Sequence, residues 1–407
     1  MGTISAQGFV LGIKSHDNTW DNIHRLHTYY LTGETLPLYS FFFDTWDDVS
    51  EATIQQAMDG LPQGTVFHIS LTPRTHTARQ IMAGSFDAQY LRFFRWVKER
   101  PTLHVMFRTM HEMNGGRYPW GSDPHSFRRA WHRMRLLAQH VGLTSSQIQF
   151  VFSFNHRDAP TNDETPSKAS PLFFCDLLTK QRTGCFTFED YYPGSTLVDI
   201  VGLSFYNRGK AAYDRQWLSA QQILTNPRWN TLTRALSFGK PLIFDEVGTS
   251  AVWYRSSFNA QLSRHVFLTE YKRKNERLYD RARRTSQQSG VLGAIYFNAD
   301  FTQGLSTAIS GEADRAVINV DTGKRYHAFD DILTRTNNAD DRERLARLFG
   351  KHAIFLQGKW WIVTRQEFGM LAALQKKMTD RQSWGGLYRD DLPPLIKRFL
   401  LEHHVLK

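Results

Sequence analysis

Two segments of the sequence place carboxylic acids directly behind an apolar run. Residues 111–115, His-Glu-Met-Asn-Gly, follow the run Leu103–Arg108, and Asp245-Glu246 follow Pro241–Phe244. Polar residues at the ends of buried strands are typical of the catalytic face of an α/β barrel. Two carboxylic acids that meet there can hydrolyse a glycosidic bond. One protonates the departing oxygen and, in the retaining mode, the other attacks the anomeric carbon.

The first segment offers Glu112 as its acid, whereas the second segment offers two acids. Asp245 and Glu246 are adjacent at the tip of one predicted strand, and adjacent strand residues face opposite ways, so only one can point at a substrate. Their spacing does not choose between them. Each glutamate alone also has the simpler interpretation of a surface residue at a strand end.

Polar residues near these acids could support the same chemistry. Arg108 lies an even number of residues before Glu112 and could keep a nucleophile ionised, or it could be an ordinary ion-pair partner. His111 and Asn114 could hydrogen-bond a sugar, although His111 could equally be a buried, satisfied histidine. Asn155 follows the fifth predicted strand and could reach the cleft or cap a turn. No histidine or cysteine set has metal-ligand spacing, so we expect no metal and no cofactor.

Short apolar runs alternate with longer amphipathic segments, which is the pattern of βα units. Eight runs qualify as strands, the number that closes a (β/α)8 TIM barrel, and several are apolar throughout, as expected of strands buried on both faces. We therefore predict the α/β fold class. The predicted strands are Phe9–Lys14, Pro37–Phe43, Val66–Leu71, Leu103–Arg108, Ile148–Phe154, Val198–Phe205, Leu242–Asp245 and Leu292–Phe297.

A helix is predicted soon after the first acidic segment. Asp123-Pro124 supplies an N-cap and a first-turn proline, and Gly142 can end the helix. Between them, apolar residues recur at helical spacing from Phe127 to Val141. These side chains should pack against the barrel, which leaves the residues from Glu112 to Trp120 as a loop at its mouth.

The barrel is predicted to end near Leu333, which gives a catalytic domain of residues 1–335 and a small C-terminal module of residues 336–407. Residues 337–341 have the composition of a polar linker. Residues 342–407 hold 13 Lys and Arg against 6 Asp and Glu, which accounts for +7 of the net charge of +11. Such a basic segment suits an anionic polysaccharide or nucleic acid, although a solvated surface is the simpler interpretation. We favour an accessory surface for a polymer over nucleic-acid binding.

The C-terminal module has its own structural signals. Apolar runs on both sides of Gly358-Lys359 predict a hairpin, and residues 364–367 form a capping box before a helix. An α+β module of this kind loosely resembles a winged helix. Strand alternation predicts that one of Trp360 and Trp361 faces the module's own core.

Two sequence patterns bear on cellular location. No run of about 18 apolar residues is present, so we expect no membrane span, and the N-terminus has no secretory pattern. A polymer substrate would nevertheless imply an extracellular or envelope setting. Cys175 and Cys185 could form one disulfide or remain two free thiols.

Residues 107–121 resemble the acid/base segment of glycoside hydrolase family twenty-six, in which an arginine at the strand end precedes His-Glu-Met-Asn-Gly and an aromatic stretch. Residues 199–207 are similar to the family's sixth strand, and residues 240–248 to its seventh. Ile295–Asn298 fits the eighth strand. The resemblance covers roughly residues 8–333 and implies a retaining (β/α)8 hydrolase that acts on a β-linked polysaccharide such as mannan, mixed-linkage glucan or xylan.

The resemblance also implies individual roles. Glu112 would be the acid/base and Glu246 the nucleophile, with Tyr206 and Arg108 holding Glu246 in place. At the cleavage point, the sugar would be bound by His111, Asn114 and Trp120. The two carboxyl groups would then lie about 5–5.5 Å apart, the separation of retaining enzymes.

One departure from the family bears on the substrate. Family mannanases usually carry a tryptophan at the position of Arg117, and Trp120 could take over part of its role. An arginine in a sugar subsite can bind a carboxylate or sulfate. We therefore predict an endo-acting β-glycanase whose substrate is β-1,4-mannan or a related, decorated glycan. The alternative is a barrel that binds polysaccharide without cleaving it.

Overall fold

A closed barrel of eight parallel strands in chain order forms the centre of the molecule. The structure is a computed structural model that describes residues 10–15, 18–25, 36–115, 117–158, 186–207, 220–227, 229–249, 291–297, 339–356, 359–377, 394 and 397–398. The predicted (β/α)8 fold is confirmed. The strands are β1 Val10–Lys14, β2 Leu38–Phe43, β3 Val66–Leu71, β4 His104–Thr109, β5 Ile148–Asn155, β6 Ile200–Asn207, β7 Leu242–Thr249 and β8 Val291–Phe297.

The described helices lie between the strands and after the barrel. Within the described ranges, no helix is long and apolar enough to cross a membrane. The helices are α1 Trp20–Arg25, α2 Asp48–Gly60, α3 Ala78–Met82, α4 Asp87–Lys98, α5 Pro124–Val141, α6 Ala220–Leu224, α7 Thr231–Leu236, α8 Ala339–Arg347 and α9 Arg365–Lys377.

Helix α5 begins and ends where its sequence predicts. The Asp123 side chain accepts a hydrogen bond from the Ser126 backbone N–H at 2.9 Å, and Pro124 occupies the first turn. Gly142 ends the helix in the left-handed region, with φ at 78°. The helix therefore starts only after the loop that carries Glu112.

Alternate residues of each strand face the helices or the barrel interior. On β3, Phe67 and Ile69 belong to the large apolar cluster that includes helix side chains, whereas Val66 belongs to a separate cluster of strand-start residues. His68 and Ser70 contact charged side chains of other strands across the interior. The interior is thus apolar where the strands start and polar towards their carboxyl ends.

The C-terminal segment closes the apolar end of the barrel. Leu345 and Phe349 join the cluster of strand-start residues, and the Arg344 guanidinium donates to the Val291 carbonyl at 3.1 Å. The predicted linker is partly wrong, because residues 339–341 form the first turn of α8. The predicted division at residues 335 and 336 lies outside the described residues and stays a prediction.

Residues 352–356 and 359–377 of the C-terminal module form the predicted hairpin strands and the helix after them. Strands β9 (His352–Leu356) and β10 (Lys359–Val363) pair antiparallel. The Thr364 N–H donates to the Glu367 carboxylate at 2.7 Å, and the Glu367 N–H donates back to the Thr364 hydroxyl at 3.3 Å, which completes the capping box. Trp361 is buried, as predicted for one of the two tryptophans.

Removal of the Phe349 ring should destabilise the protein, because this buried ring fills the apolar end of the barrel. We expect Phe349→Ala to lower the free energy of unfolding by about 3 kcal/mol. The matched control is Phe355→Ala, since Phe355 is 46% exposed, and it should cost less than about 1 kcal/mol. Denaturant unfolding measures both, and equal losses would contradict the packing role of Phe349.

Acid should destabilise the protein partly through His104, which packs edge-on against Phe349 at 5.1 Å between ring centroids. Burial lowers the pKa of His104 to about 3. Between the ordinary histidine pKa of about 6.5 and that value, the unfolded chain binds a proton that the folded chain does not, so stability falls as the pH falls.

We expect His104→Leu to reduce this pH dependence by about 1.4 kcal/mol per pH unit within the window from about 6.5 to 3. Unfolding titrations at several pH values measure the slope. A wild-type slope that the substitution leaves unchanged would show that His104 takes up its proton in the folded state.

Candidate functional site

A buried arginine organises the carboxyl end of the barrel. Arg108, on β4, is fully buried and donates to the Ser70 hydroxyl at 2.7 Å. Its two terminal nitrogens contact different acids, Asp245 at 3.3 Å and Glu246 at 3.1 Å. The guanidinium also lies 4.5 Å from the centre of the Phe42 ring. A buried charge of this kind requires compensation, and the two carboxylates supply it.

Both acids of β7 face Arg108, which differs from the expectation that only one could turn inward. The register of β7 shifts against both neighbouring strands around these residues. Such an irregularity breaks the regular alternation of side chains. Gly202 on β6 makes room for the inner acid, because a Cβ there would lie 2.5 Å from Asp245 Oδ2.

The two acids differ in their access to solvent. The Asp245 side chain is fully buried, whereas the Glu246 side chain is 11% exposed. Burial raises the pKa of Asp245, and the neighbouring Arg108 opposes this rise. His68 lies 3.8 Å from Asp245, and burial together with Arg108 holds the pKa of that histidine well below its usual value. Asp245 is therefore part of an enclosed network, and Glu246 is the acid that faces the mouth.

Glu246 is held at both carboxylate oxygens. Arg108 donates to Oε2, and the Tyr206 hydroxyl donates to Oε1. Burial alone would lower the pKa of Arg108, but Asp245 and Glu246 raise it above its usual value, so the guanidinium stays charged. Donors at both oxygens fix the orientation of the carboxylate. The contact between Tyr206 and the proposed nucleophile is the one that the family resemblance implied.

Glu112 lies on a sharply turned segment. Met110 and Glu112 have φ angles of 45° and 50°, a left-handed conformation that non-glycine residues adopt only when surrounding contacts hold them. One such contact is the hydrogen bond from the Glu112 N–H to the Ser153 carbonyl of β5, at 2.9 Å. The turn carries the Glu112 carboxylate over β5, where Asn155 Nδ2 donates to it at 3.1 Å.

Arg117 forms an ion pair with the second oxygen of Glu112. The arginine side chain is 46% exposed, whereas the Glu112 side chain is only 1% exposed. The predicted acid/base is thus covered by an arginine from its own loop. Asn155 and Arg117 both fall among the predicted site residues, and the structure brings both to Glu112.

The structure places Glu112 and Glu246 at the same mouth. Asn155 of β5 is in register with Ser204 of β6, and Ser204 is in register with Glu246 of β7. Glu112 is hydrogen-bonded to β5, the first of these three adjacent strands, and Glu246 lies on β7, the third. The predicted separation of about 5–5.5 Å between their carboxyl groups stays a prediction.

Asn114 differs from its predicted role at the sugar. It is fully buried, and its amide donates to the Asn155 carbonyl at 2.8 Å and to Asp158 at 2.9 Å. Its side-chain oxygen, Oδ1, accepts a hydrogen bond from the Asn155 backbone N–H at 2.8 Å. Asn114 therefore holds the loop that presents Asn155, and its side chain does not face the mouth.

His111 and Trp120 are also enclosed, and their predicted contact with a sugar stays a prediction. Trp120 is fully buried, donates its indole N–H to the His111 carbonyl at 3.0 Å, and stacks on Tyr118 at 4.6 Å. His111 is 2% exposed and lies 3.2 Å from the Tyr118 hydroxyl. Burial and the nearby Arg108 keep its pKa well below the usual value. Tyr118 is the partly exposed ring of this group.

Several residues of the site were missed in the sequence. His68 and Ser70 support Asp245 and Arg108, and Asp158 anchors Asn114. A signal existed for the first two, since His68 and Ser70 are polar residues two apart in an otherwise apolar strand, and therefore share its inward face. Asp158 had no such signal, because it lies in a loop after β5.

A cleft of about 510 Å³ adjoins this mouth beside Phe42. Arg74 and Asp44, joined by an ion pair of 2.6 Å, form part of its lining together with Asn18. Within the described residues, no group of three His, Cys, Asp or Glu side chains could hold a metal ion. Cys175 and Cys185 lie outside those residues.

Comparisons with other proteins gave matches only among solved structures. No family model matches the chain, and no curated protein matches it. A GH26 β-mannanase from Bacteroides ovatus is 14% identical with a TM-score of 0.47, covering 82% of this chain and 89% of that chain. A β-mannanase from a symbiotic protist of the termite Reticulitermes speratus is 12% identical with a TM-score of 0.45, covering 80% and 88%.

A β-glucuronidase from Ruminococcus gnavus is 12% identical with a TM-score of 0.48, covering 80% of this chain and 50% of that chain. GH26 proteins recur among the matching structures, and this is the family that the sequence motifs resemble.

Loss of the buried guanidinium should be costly, because Asp245 and Glu246 would then share an enclosed site without a counter-charge. We expect Arg108→Met to lower the free energy of unfolding by about 3–5 kcal/mol. The matched control is Arg133→Met, which removes a half-exposed ion pair with Asp87 and should cost less than about 1 kcal/mol. Similar losses in the two variants, measured by denaturant unfolding, would refute the anchoring role.

Proposed function

We propose that the protein is a retaining glycoside hydrolase that cleaves a β-linked polysaccharide, with Glu246 as nucleophile and Glu112 as acid/base. The observation that carries this proposal is the pair of carboxylates at one barrel mouth with different surroundings. Glu246 is held by two donors and reaches solvent, whereas Glu112 is buried beside Asn155. Retaining hydrolysis requires two carboxyl groups with distinct tasks.

The nucleophile must remain an anion with one accessible oxygen. The donors Arg108 and Tyr206 stabilise the anionic form of Glu246 and fix its orientation. In the first step, a Glu246 oxygen would bond to the anomeric carbon as the bond from that carbon to the leaving oxygen breaks. Glu112 would give its proton to the leaving oxygen in the same step.

The second step would reverse these roles. Glu112, now a carboxylate, would take a proton from water while the water oxygen attacks the anomeric carbon. The bond to Glu246 would break, and Glu246 would return to its anionic form. Asn155 donates to Glu112 and would hold it in place through both steps.

For the substrate, we propose β-1,4-mannan or a related, decorated β-glycan cleaved at internal positions, as the motifs imply. The partly exposed ring of Tyr118, stacked over the enclosed Trp120, is the aromatic face available at this part of the mouth. Aromatic faces of this kind suit the apolar faces of sugar rings. The expectation of a polymer substrate rests on this reaction class.

The second candidate function is a barrel that binds polysaccharide without cleaving it. One observation favours it, namely the ion pair between Arg117 and Glu112. A carboxylate that is paired with a guanidinium has no proton to donate. A pair that persisted in the presence of every glycan would leave a binding protein.

Glu246→Ala should abolish turnover while the fold persists, because no other accessible acid of the described mouth is held in its position. Glu112→Gln should lower the rate by about 100- to 10,000-fold, the usual contribution of general acid–base catalysis. The measurement is the release of reducing ends from β-mannan, mixed-linkage β-glucan, xylan and uronic-acid polymers, with the anomeric form of the first product followed by NMR.

The control is Glu99→Ala, which removes a glutamate that is exposed at the end of α4, and it should retain wild-type activity. Retention of the anomeric configuration is expected. An inverted product would refute the nucleophile assignment, and glycan binding without new reducing ends would favour the non-catalytic candidate.

A further inference from the structure

We propose that Arg117 recognises a carboxylate carried by the substrate, and that this recognition releases Glu112 to act as the acid. The inference rests on the proposed function and narrows its substrate class to β-glycans that contain uronic acid. In the free protein, Arg117 forms an ion pair with Glu112. In the substrate complex, it would exchange that partner for a sugar carboxylate.

The two partners of this ion pair differ in their freedom to move. Arg117 is 46% exposed and rests near the Tyr118 ring, at 5.3 Å from its centre. Glu112 is 1% exposed and is fixed by Asn155 and by its own strained turn. A long side chain at the rim can change its partner without repacking, whereas the enclosed glutamate cannot follow it.

Departure of Arg117 would change the state of Glu112. With the guanidinium in place, Glu112 is an ionised acceptor and has no proton to give. Without it, a carboxyl group enclosed to this degree favours the neutral form, because burial penalises charge. Within the described chain, Arg117 is the cation that forms an ion pair with Glu112. Arg108, the buried arginine of the site, is paired with Asp245 and Glu246.

The exchange is balanced in charge and in protons. Arg117 remains protonated throughout and passes from the Glu112 carboxylate to the substrate carboxylate. Glu112 takes up one proton from solvent and becomes the neutral acid. That proton then goes to the leaving oxygen in the first chemical step.

The chemistry of the present partner indicates that of its replacement. Arg117 already binds a planar carboxylate, and a uronic acid offers the same group to the guanidinium fork. A neutral hexose offers no anion, so it would leave Arg117 on Glu112. The arginine would therefore both select the substrate and couple selection to catalysis.

A matched pair of substrates tests this inference, namely oligosaccharides of β-1,4-mannan and of β-1,4-linked mannuronic acid. They share linkage and configuration and differ in the group attached to C5 of each sugar, which is CH₂OH in mannan and a carboxylate in mannuronan. The wild-type protein should cleave the mannuronic acid oligosaccharides with a kcat/KM at least about 10-fold higher, since one charge-assisted contact accounts for such a factor.

Arg117→Ala should remove this preference. The kcat/KM on mannuronic acid oligosaccharides should fall by about 10- to 100-fold. The value on mannan oligosaccharides should rise, because Glu112 is then free of its cation, and an unchanged value would refute the release of Glu112. Arg117→Lys keeps the positive charge but loses the planar, two-pronged guanidinium. Its kcat/KM on mannuronic acid oligosaccharides should lie between those of the wild type and Arg117→Ala. Arg129→Ala, which removes an exposed arginine of α5, is the matched control and should leave both values unchanged.

Binding provides a readout that is independent of turnover. Calorimetric affinity of the Glu246→Ala variant for mannuronic acid oligosaccharides should weaken about 10-fold or more when Arg117→Ala is added.

The inference would be overturned, and the proposed hydrolase left intact, by a wild-type protein that cleaves mannan oligosaccharides at least as well as mannuronic acid oligosaccharides. The ratio of the two kcat/KM values would then be the same in Arg117→Ala. Preference for a sulfated β-glycan with none for mannuronic acid would overturn the carboxylate assignment. Arg117-dependent binding without cleavage of any glycan would refute both the release of Glu112 and the proposed hydrolase.

Discussion

The candidate site depends on one buried positive charge. Arg108 is enclosed in the barrel interior, and such a charge is tolerated only with close counter-charges. Asp245 and Glu246 supply them from the opposite side of the barrel, and the irregular register of β7 allows both to face inward. The requirement for compensation therefore positions Glu246. The stabilising network and the proposed catalytic arrangement are here the same set of contacts.

The polar site and the apolar packing of the barrel lie at opposite ends of its axis. The strand-start end is apolar and is closed by Leu345 and Phe349 of the C-terminal segment. The strand-finish end is polar, carries the strained turn at Glu112, and is linked by hydrogen bonds through Asn155. Packing at one end can hold the barrel together while the other end keeps unfavourable backbone angles and paired charges.

The acidic loop shows how much of a motif serves to hold the rest of it. Within residues 111–120, His111, Asn114 and Trp120 are enclosed and bind backbone or neighbouring side chains. Glu112 and Arg117 carry the charge. The pattern of a motif gives residue types at fixed spacing, but it does not distinguish a side chain that touches a ligand from one that supports the loop. That distinction requires knowledge of which atoms are covered.

The sequence by itself determined the eight strands, helix α5 with both of its caps, and the segments that carry Arg108 and Glu246, because apolar periodicity and capping chemistry act locally. Tertiary structure alone decided that Asp245 and Glu246 share Arg108, that Arg117 covers Glu112, and that the C-terminal segment closes the barrel. These contacts join residues on separate strands and loops. Their partners are set by register, bulges and burial, which arise only when the barrel closes.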